Sequence, residues 1–170
     1  MPGYGKHYPE EELMATPDQI TAYLRLDDCE GVDEALENTA FATWVDQNCD
    51  DRSLHGVVDG INEQISPPKL SLTIVPADSP TGSEYVLYRE EKSVQLPFFG
   101  DSEDPNRFIN CLAQILATEY ELRVVAGSLG GGEAAVAAIP RDDWMNLEHA
   151  GIESLQEQFL PINWMFDPFS

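Results

Sequence analysis

Net charge sets the first limit on this chain. Its 170 residues include 31 Asp and Glu but only 9 Lys and Arg, which gives a formal net charge of −22. An excess of one sign adds self-repulsion to the compact state, so folding alone does not account for it. An acidic surface attracts basic partners with fast, salt-sensitive association, whereas it repels nucleic acid and anionic membranes. We therefore expect a protein that binds a basic partner.

The acid is spread along the whole chain rather than gathered in a tail. Residues 1–68 carry 15 acids and 3 bases, and residues 69–170 carry 16 acids and 6 bases. This distribution predicts a surface that is negative over much of its area. Lysine occurs only as Lys6, Lys69 and Lys92, and abundant acid with little lysine is also what a high-salt cytoplasm favours. That alternative needs no partner and stays open.

The rest of the composition is that of a folded intracellular protein. Hydrophobic residues make up 42% of the chain, and 3 Trp, 7 Phe and 6 Tyr provide enough bulk for a core. The N-terminus lacks the apolar run of a signal peptide, and no stretch approaches the ~18 apolar residues of a membrane span. The 3 Cys are odd in number and widely separated, which favours free thiols in a reducing compartment. We expect a cytoplasmic protein.

Proline and helix-cap signals divide the chain. Residues 1–15 are expected to form a flexible lead, followed by a single α+β domain over residues 16–170. The helical part of this domain, 16–66, ends before Pro67-Pro68, and the strand-rich part covers 69–170. Cap residues and apolar spacing predict three helices in the helical part: Thr16 to Leu26, Gly31 to about Asp46, and Asp50 or Asp51 to Ile65.

Beyond the prolines the apolar residues alternate with period two, which predicts strands. The predicted elements are, in order, strands at 70–74, 85–89 and 93–98, a helix from Asp104, strands at 120–125 and 134–139, and helices at 141–149 and 152–159. A glycine-rich turn at 127–132 joins the last two strands. Strands in hairpin order beside helices imply an α+β fold, in which N-terminal helices precede a mainly antiparallel sheet of about five strands with packed helices.

The sequence contains no motif for catalysis, cofactor binding or metal binding. The run at 127–132 lacks the Gly-Lys-Ser/Thr ending of a P-loop and the spacing of a dinucleotide fingerprint. The acidic run that begins at Asp46 fails as a calcium loop, because its sixth and twelfth positions hold Asp and Val instead of Gly and Glu. A Cys49–His55 nucleophile–base pair lacks any neighbouring orienting group or oxyanion hole. We expect a non-enzyme with no cofactor and no metal.

Two parts of the chain are candidates for contact with a partner. The first comprises the acidic runs at the two ends of the second predicted helix, for which an ordinary solvated helix surface is the alternative. The partner-binding residues expected there are Asp27, Asp28, Asp33, Glu34, Glu37, Asp46, Asp50 and Asp51. The second is the aromatic C-terminal tail, where Trp164 and Phe166 either dock on the protein's own core or form an exposed interface anchor.

In size, acidity and lack of catalytic motifs, the chain resembles the immunity proteins of bacterial toxin–immunity pairs. This resemblance implies a protein that binds one cognate toxin and blocks it by occlusion. A nuclease or nucleotide-processing toxin fits best, because the substrate clefts of such enzymes are basic. The resemblance lies in size, charge and architecture, and it assigns no role to any residue.

The predicted order of elements over residues 50–159 is also similar to that of the class I chaperones of type III secretion. That order is helix, three strands, helix, two strands, helix. This resemblance implies an acidic homodimer that holds the secretion segment of an effector in extended form, although the helices predicted before residue 50 depart from the pattern. A DNA-mimic inhibitor of a restriction or repair enzyme is a third hypothesis, and it requires acids spaced along an elongated surface.

Overall fold

Helices and strands succeed one another along the residues that this computed structural model describes, which are 17–24 and 42–162. The helices in these residues are α1 (Pro17–Leu24), α2 (Asp51–Gln64), α3 (Asp104–Leu116), α4 (Arg141–His149) and α5 (Leu155–Gln158). The strands are β1 (Thr43–Asp46), β2 (Leu70–Pro76), β3 (Ser83–Arg89), β4 (Lys92–Gln95), β5 (Tyr120–Val125), β6 (Glu133–Pro140) and β7 (Phe159–Pro161). A short 3₁₀ turn covers Ala126–Ser128.

The two helices with the clearest amphipathic pattern form where the sequence predicts them. In α2, Asp50 is the N-cap, and its carboxylate accepts a hydrogen bond from the Ser53 amide at 2.8 Å. The buried apolar side chains of this helix are the predicted ones, namely Leu54, Val57, Val58 and Ile61, with Ile65 just beyond its end. In α3, Pro105 stands in the first turn, and the predicted face is buried: Phe108, Leu112, Ile115 and Leu116.

The predicted second helix is wrong at its C-terminal end. The helix expected from Gly31 to about Asp46 lies outside the described residues up to position 41, and its last residues form strand β1 instead. β1 pairs antiparallel with β6. Thr, Trp and Val have high strand propensity, and pairing with a distant strand outweighs the helical spacing seen in the sequence. The flexible lead expected at 1–15 also lies outside the described residues.

Two other predicted elements are shorter than expected. The strand expected at 93–98 ends at Gln95, because Pro97 cannot donate to a strand ladder. The helix expected at 152–159 is reduced to α5, and the residues that follow it form β7. Both differences lie at the end of an element, where the chain passes into the next segment.

The fold is α+β, as predicted, and its strands form two antiparallel sheets. The first sheet has the order β1-β6-β5-β7 and the second the order β2-β3-β4. The sequence predicted about five strands in one sheet, whereas the described residues contain seven in two. Every pairing among them is antiparallel. β1 comes from the part of the chain predicted to be helical, and it forms one edge of the first sheet.

β6 is covered on both faces. Every residue from Ala134 to Ile139 is buried, and successive side chains point to opposite sides of the sheet. The alternate residues that start at Ala134 belong to the core formed with α2, α3 and the second sheet. Those that start at Ala135 pack with residues of α1, α4 and α5. A strand buried on both faces reads as a continuous apolar run, which is how this segment looks in the sequence.

Buried polar contacts fix α2 against the first sheet. Gln64 donates to the Thr43 hydroxyl and accepts a hydrogen bond from the Ala138 amide at 2.8 Å. Gly60 allows the close approach of α2 to β1, since a Cβ at this position would lie 2.6 Å from Thr43 Cγ2. These contacts hold the C-terminal half of α2 against the start of β1 and the last part of β6.

Candidate protein-binding face

One end of the molecule gathers carboxylates from several segments. The end of β1 and the start of β6 meet there, and the Gln47 amide donates to the Gly132 carbonyl at 3.0 Å. The N-terminus of α2 lies beside β3, because the Tyr85 hydroxyl donates to Asp51 at 3.4 Å. We call this region the acidic end and define it by its carboxylates: Asp46, Asp50, Asp51, Asp78, Glu84, Asp101, Asp104 and Glu133.

Two of these carboxylates are neighbours across a strand pair. Asp46 and Glu133 are directly opposite each other on β1 and β6, so their side chains lie on the same face of the sheet. Asp46 accepts the Asn48 amide at 2.7 Å, but neither carboxylate has an ion-pair partner among the described residues. Like charges in this arrangement destabilise a sheet. The pair therefore lowers the stability of the folded chain.

The acids at the start of α3 have a structural role. Asp104 accepts the amides of Phe99 and Gly100 at 3.0 and 2.8 Å. Arg107 pairs with Asp104 at 2.7 Å and also with Asp101. Its hydrogen bond holds the pKa of the Asp101 carboxyl below the usual value. These carboxylates are needed to order the loop before α3.

The remaining acids fall into two groups. Asp50 caps α2 and Asp51 stands in its first turn, where the positive end of the helix dipole favours negative charge. The carboxylates of Asp78 and Glu84, by contrast, have no hydrogen bond or ion pair with any described residue. These two carboxylates and that of Glu133 can pair with a partner at no loss of internal contacts, whereas Asp46 also accepts the Asn48 amide.

The Cys49 thiol lies near three of these carboxylates. Its pKa is raised to about 12, first by burial and then by the charges of Asp104, Asp46 and Asp50. A thiol of this kind stays protonated at neutral pH, which does not suit a nucleophile. His55 is exposed on α2 and makes no hydrogen bond with Cys49. The contacts among the described residues give no support to this pair as a catalytic site.

Most basic side chains are engaged within the fold. The following Lys and Arg residues each bond to another group of the described chain: Lys69, Arg89, Lys92, Arg107, Arg123 and Arg141. Arg123, for example, lies 4.1 Å from the centre of the Trp144 ring and shares Glu121 with Arg141. Arg52, in the first turn of α2, is the one base of the described chain that lacks such a bond. The acidic end therefore contains few positive charges that could neutralise it.

The structure brings three predicted partner-binding residues into the acidic end: Asp46, Asp50 and Asp51. The others lie outside the described residues and stay predictions, namely Asp27, Asp28, Asp33, Glu34, Glu37, Trp164 and Phe166. The sequence analysis missed the other five acids of this region. The Asp104-Pro105 helix start was a visible signal for one of them. The position of Glu133 depends on the pairing of β1 with β6, which the sequence did not indicate.

The structure also bears on the glycine-rich run, on metal binding and on membrane spans. The glycine-rich run at 127–132 forms the connection of the β5–β6 hairpin, as predicted, and Gly130 and Gly132 adopt φ values of 106° and 78°. Among the described residues, no group of three or more His, Cys, Asp or Glu is placed to hold a metal ion. In the same part of the chain, no helix combines the length and apolar character needed to cross a membrane.

Comparison with known proteins found no matching family model, no similar curated protein and no similar solved structure. Function is therefore inferred from the residues of the acidic end.

Proposed function

We propose that this protein binds a basic partner protein through the acidic end, and that it is a cytoplasmic immunity protein which occludes the substrate cleft of a cognate toxin. It acts by binding alone and performs no catalytic step. The observation that carries the proposal is the Asp46–Glu133 pair, in which like charges face each other without a compensating base. A basic partner supplies that compensation when it binds.

The chemistry of a nucleic-acid or nucleotide enzyme matches this surface. Such enzymes hold phosphates with Lys and Arg, so their clefts are basic. A protein that places carboxylates over the cleft pairs with the same side chains and competes with the substrate. The net charge of −22 adds long-range attraction, which speeds the encounter at low ionic strength.

The test is affinity capture from lysate of the source cells at low salt, with two matched variants beside the wild type. The acidic-end variant carries the substitutions Asp46→Asn, Asp78→Asn, Glu84→Gln and Glu133→Gln. The control variant loses the same number of charges from exposed positions elsewhere, by Asp59→Asn, Glu63→Gln, Glu91→Gln and Asp142→Asn. Exposed ion pairs contribute about 0.2–1 kcal/mol each, so we expect the acidic-end variant to bind about tenfold to a hundredfold more weakly.

The proposal is supported if a basic protein binds the wild type and the control variant, is lost from the acidic-end variant, and has an enzymatic activity that the wild type inhibits. Equal capture by the two variants would place the interface elsewhere. Capture of nothing basic would remove the partner-binding function and leave the high-salt explanation of the acid.

A secretion chaperone is the second candidate, favoured by the order of elements. From α2 to α5 the structure has a helix, three strands, a helix, two strands and then helices. That is the order on which the resemblance to class I chaperones depends. The chaperone hypothesis requires a stable homodimer, whereas an occluding inhibitor has no such requirement. Sedimentation equilibrium of the free protein, followed by identification of the captured partner, distinguishes the two.

A further inference from the structure

A groove beside the acidic end has the chemistry to hold a cationic side chain. It has a volume of about 300 Å³ and lies between the loop at 77–83 and the segment at 95–99. Its lining includes the aromatic residues Tyr85 and Phe99 and the acidic residues Asp78 and Glu84. This volume is at the lower limit for small-molecule pockets, which suits a single side chain better than a whole ligand.

Phe99 is the unusual residue of this groove. It is 58% exposed, the highest value among the large hydrophobic residues of the described chain. Its neighbour Phe98 is buried and packs on Tyr85 and Phe108, with ring centres 5.0 and 6.3 Å apart, respectively. The backbone is thus anchored on one side of Phe99, while the ring itself stays at the surface. An exposed aromatic ring held on a fixed backbone is typical of an interface residue.

The Phe99 ring already contacts one guanidinium. The Arg107 guanidinium carbon lies 4.8 Å from the ring centre, within the range of a cation–π interaction. Arg107 is held by Asp101 and Asp104 and does not line the groove. The groove itself is lined by Phe99 and contains no Lys or Arg, so a second cation is free to approach the ring from the groove.

The charge of the groove is negative and uncompensated. Asp78 and Glu84 line it, and no base among the described residues pairs with either carboxylate. A cation placed between these carboxylates and Phe99 gains both charge pairing and contact with the ring. Arginine suits such a site better than lysine, because its planar guanidinium stacks on a ring and pairs with a carboxylate at the same time.

The loop that carries Asp78 is held by its own hydrogen bonds. The Ser79 and Thr81 hydroxyls both donate to the Ser83 carbonyl, at 2.7 and 3.0 Å. The Ala77 amide donates to the Gly82 carbonyl at 3.1 Å. A loop fixed by its own hydrogen bonds loses little conformational entropy on binding.

We propose that this groove binds the guanidinium of an arginine side chain presented by the partner protein, stacked on Phe99 and paired with Asp78 and Glu84. The identity of the partner rests on the proposed function above, whereas the chemistry of the groove can be tested on its own. In this arrangement the groove fixes the orientation of the bound partner, whereas the whole acidic end provides the long-range attraction.

The first test uses the capped tripeptide acetyl-Gly-Arg-Gly-amide and amide chemical shifts of the full chain at low ionic strength. We expect shifts concentrated at residues 77–85 and 95–99, with a dissociation constant of about 1 mM, as befits one side chain. The isosteric citrulline peptide, which lacks the charge, should bind at least about tenfold more weakly. Equal binding of the citrulline peptide, or shifts centred elsewhere, would overturn the inference.

Variants then locate the contacts. The double substitution Asp78→Asn and Glu84→Gln, and separately Phe99→Ala, should each weaken arginine-peptide binding about threefold to tenfold, because the first removes two ion pairs and the second removes the ring contact. The control pair Asp59→Asn and Glu63→Gln should have no effect. Unchanged binding by Phe99→Ala in a folded protein would remove the ring from the site, and with it the proposal.

The captured partner separates failure of the groove from failure of the proposed function. If partner affinity falls with Asp46→Asn and Glu133→Gln but not with the groove variants, the groove proposal is wrong and the proposed function stands. If the arginine peptide binds as expected but no basic partner is captured, the proposed function is wrong and the groove proposal is supported. A partner whose affinity falls with both sets supports both.

Discussion

Asp46 and Glu133 lie directly opposite each other on β1 and β6, although both are acids and no base among the described residues pairs with either. The sheet is held together in spite of this pair by the buried residues that precede Asp46 on β1 and follow Glu133 on β6. Under the proposed function, these two charges lower the stability of the free protein and strengthen its binding to a partner.

Removal of one of these charges should stabilise the free protein. We expect Glu133→Gln to raise the free energy of unfolding by about 0.3–1 kcal/mol, because a like-charge cross-strand pair is lost. Urea denaturation at low salt measures this change. Glu91→Gln, which removes one exposed charge in the turn between β3 and β4, is the control and should change stability less. A loss of stability in Glu133→Gln would mean that this carboxylate has a favourable contact in the fold.

The two glycines of α2 should respond in opposite directions to alanine. A Cβ at position 60 would lie 2.6 Å from Thr43 Cγ2, so Gly60→Ala should destabilise the protein by about 1–3 kcal/mol. At position 56 the Cβ would meet nothing within 4 Å, so Gly56→Ala should stabilise by about 0.5–1 kcal/mol through helix propensity. Thermal unfolding of both variants tests the packing of α2 on β1. Equal effects would contradict it.

The Cys49 thiol should be unreactive in the native protein. With its pKa raised to about 12, only about one thiol in ten thousand is ionised at pH 8, and the thiolate is the reactive form. In a Cys29→Ser background, we expect iodoacetamide to label Cys49 at least about a hundredfold more slowly than it labels the urea-unfolded chain. Labelling followed by mass spectrometry measures this rate. Rapid labelling of the folded protein would show that Cys49 is neither buried nor surrounded by negative charge.

The Arg89–Glu119 ion pair should make stability depend on acid pH. Arg89 lowers the pKa of Glu119 below 4.5, so the pair stabilises the fold at higher pH and this contribution is lost as pH falls through the lowered value. At pH 7, Glu119→Gln should cost under about 1 kcal/mol, since the carboxylate is half exposed. The difference from wild type should shrink below pH 4.5 in urea denaturation. A constant difference down to pH 3 would assign the loss to something other than the charge.

The helices were predictable because their signals are local. The Asp50 cap and the apolar stripe of α2 lie within one segment, and so do the Asp104-Pro105 start and the buried face of α3. Strand pairs joined by short connections, β2 to β4 and β5 to β6, were also visible from alternation and turn residues. What these segments share is that sequence neighbours are also spatial neighbours.

The parts that sequence reasoning missed depend on distant contacts. Residues Thr43–Asp46 form a strand only because β6, far along the chain, offers an edge for pairing. The division of the strands into two sheets has the same origin. The acidic end could not be predicted in full for the same reason, since Asp46 and Glu133 become neighbours only through that pairing. The sequence thus indicated Asp46, Asp50 and Asp51, and the tertiary fold added the acids that surround them.

The central claim is that charge at the acidic end drives association with a basic partner. The most direct measurement is the association rate constant of the captured partner from about 20 to about 300 mM NaCl, a range over which screening of surface charge increases strongly. We expect a steep decrease for the wild type and the control variant, and a much shallower one for the acidic-end variant (Asp46→Asn, Asp78→Asn, Glu84→Gln, Glu133→Gln). Identical salt dependence in the acidic-end and control variants would contradict the claim.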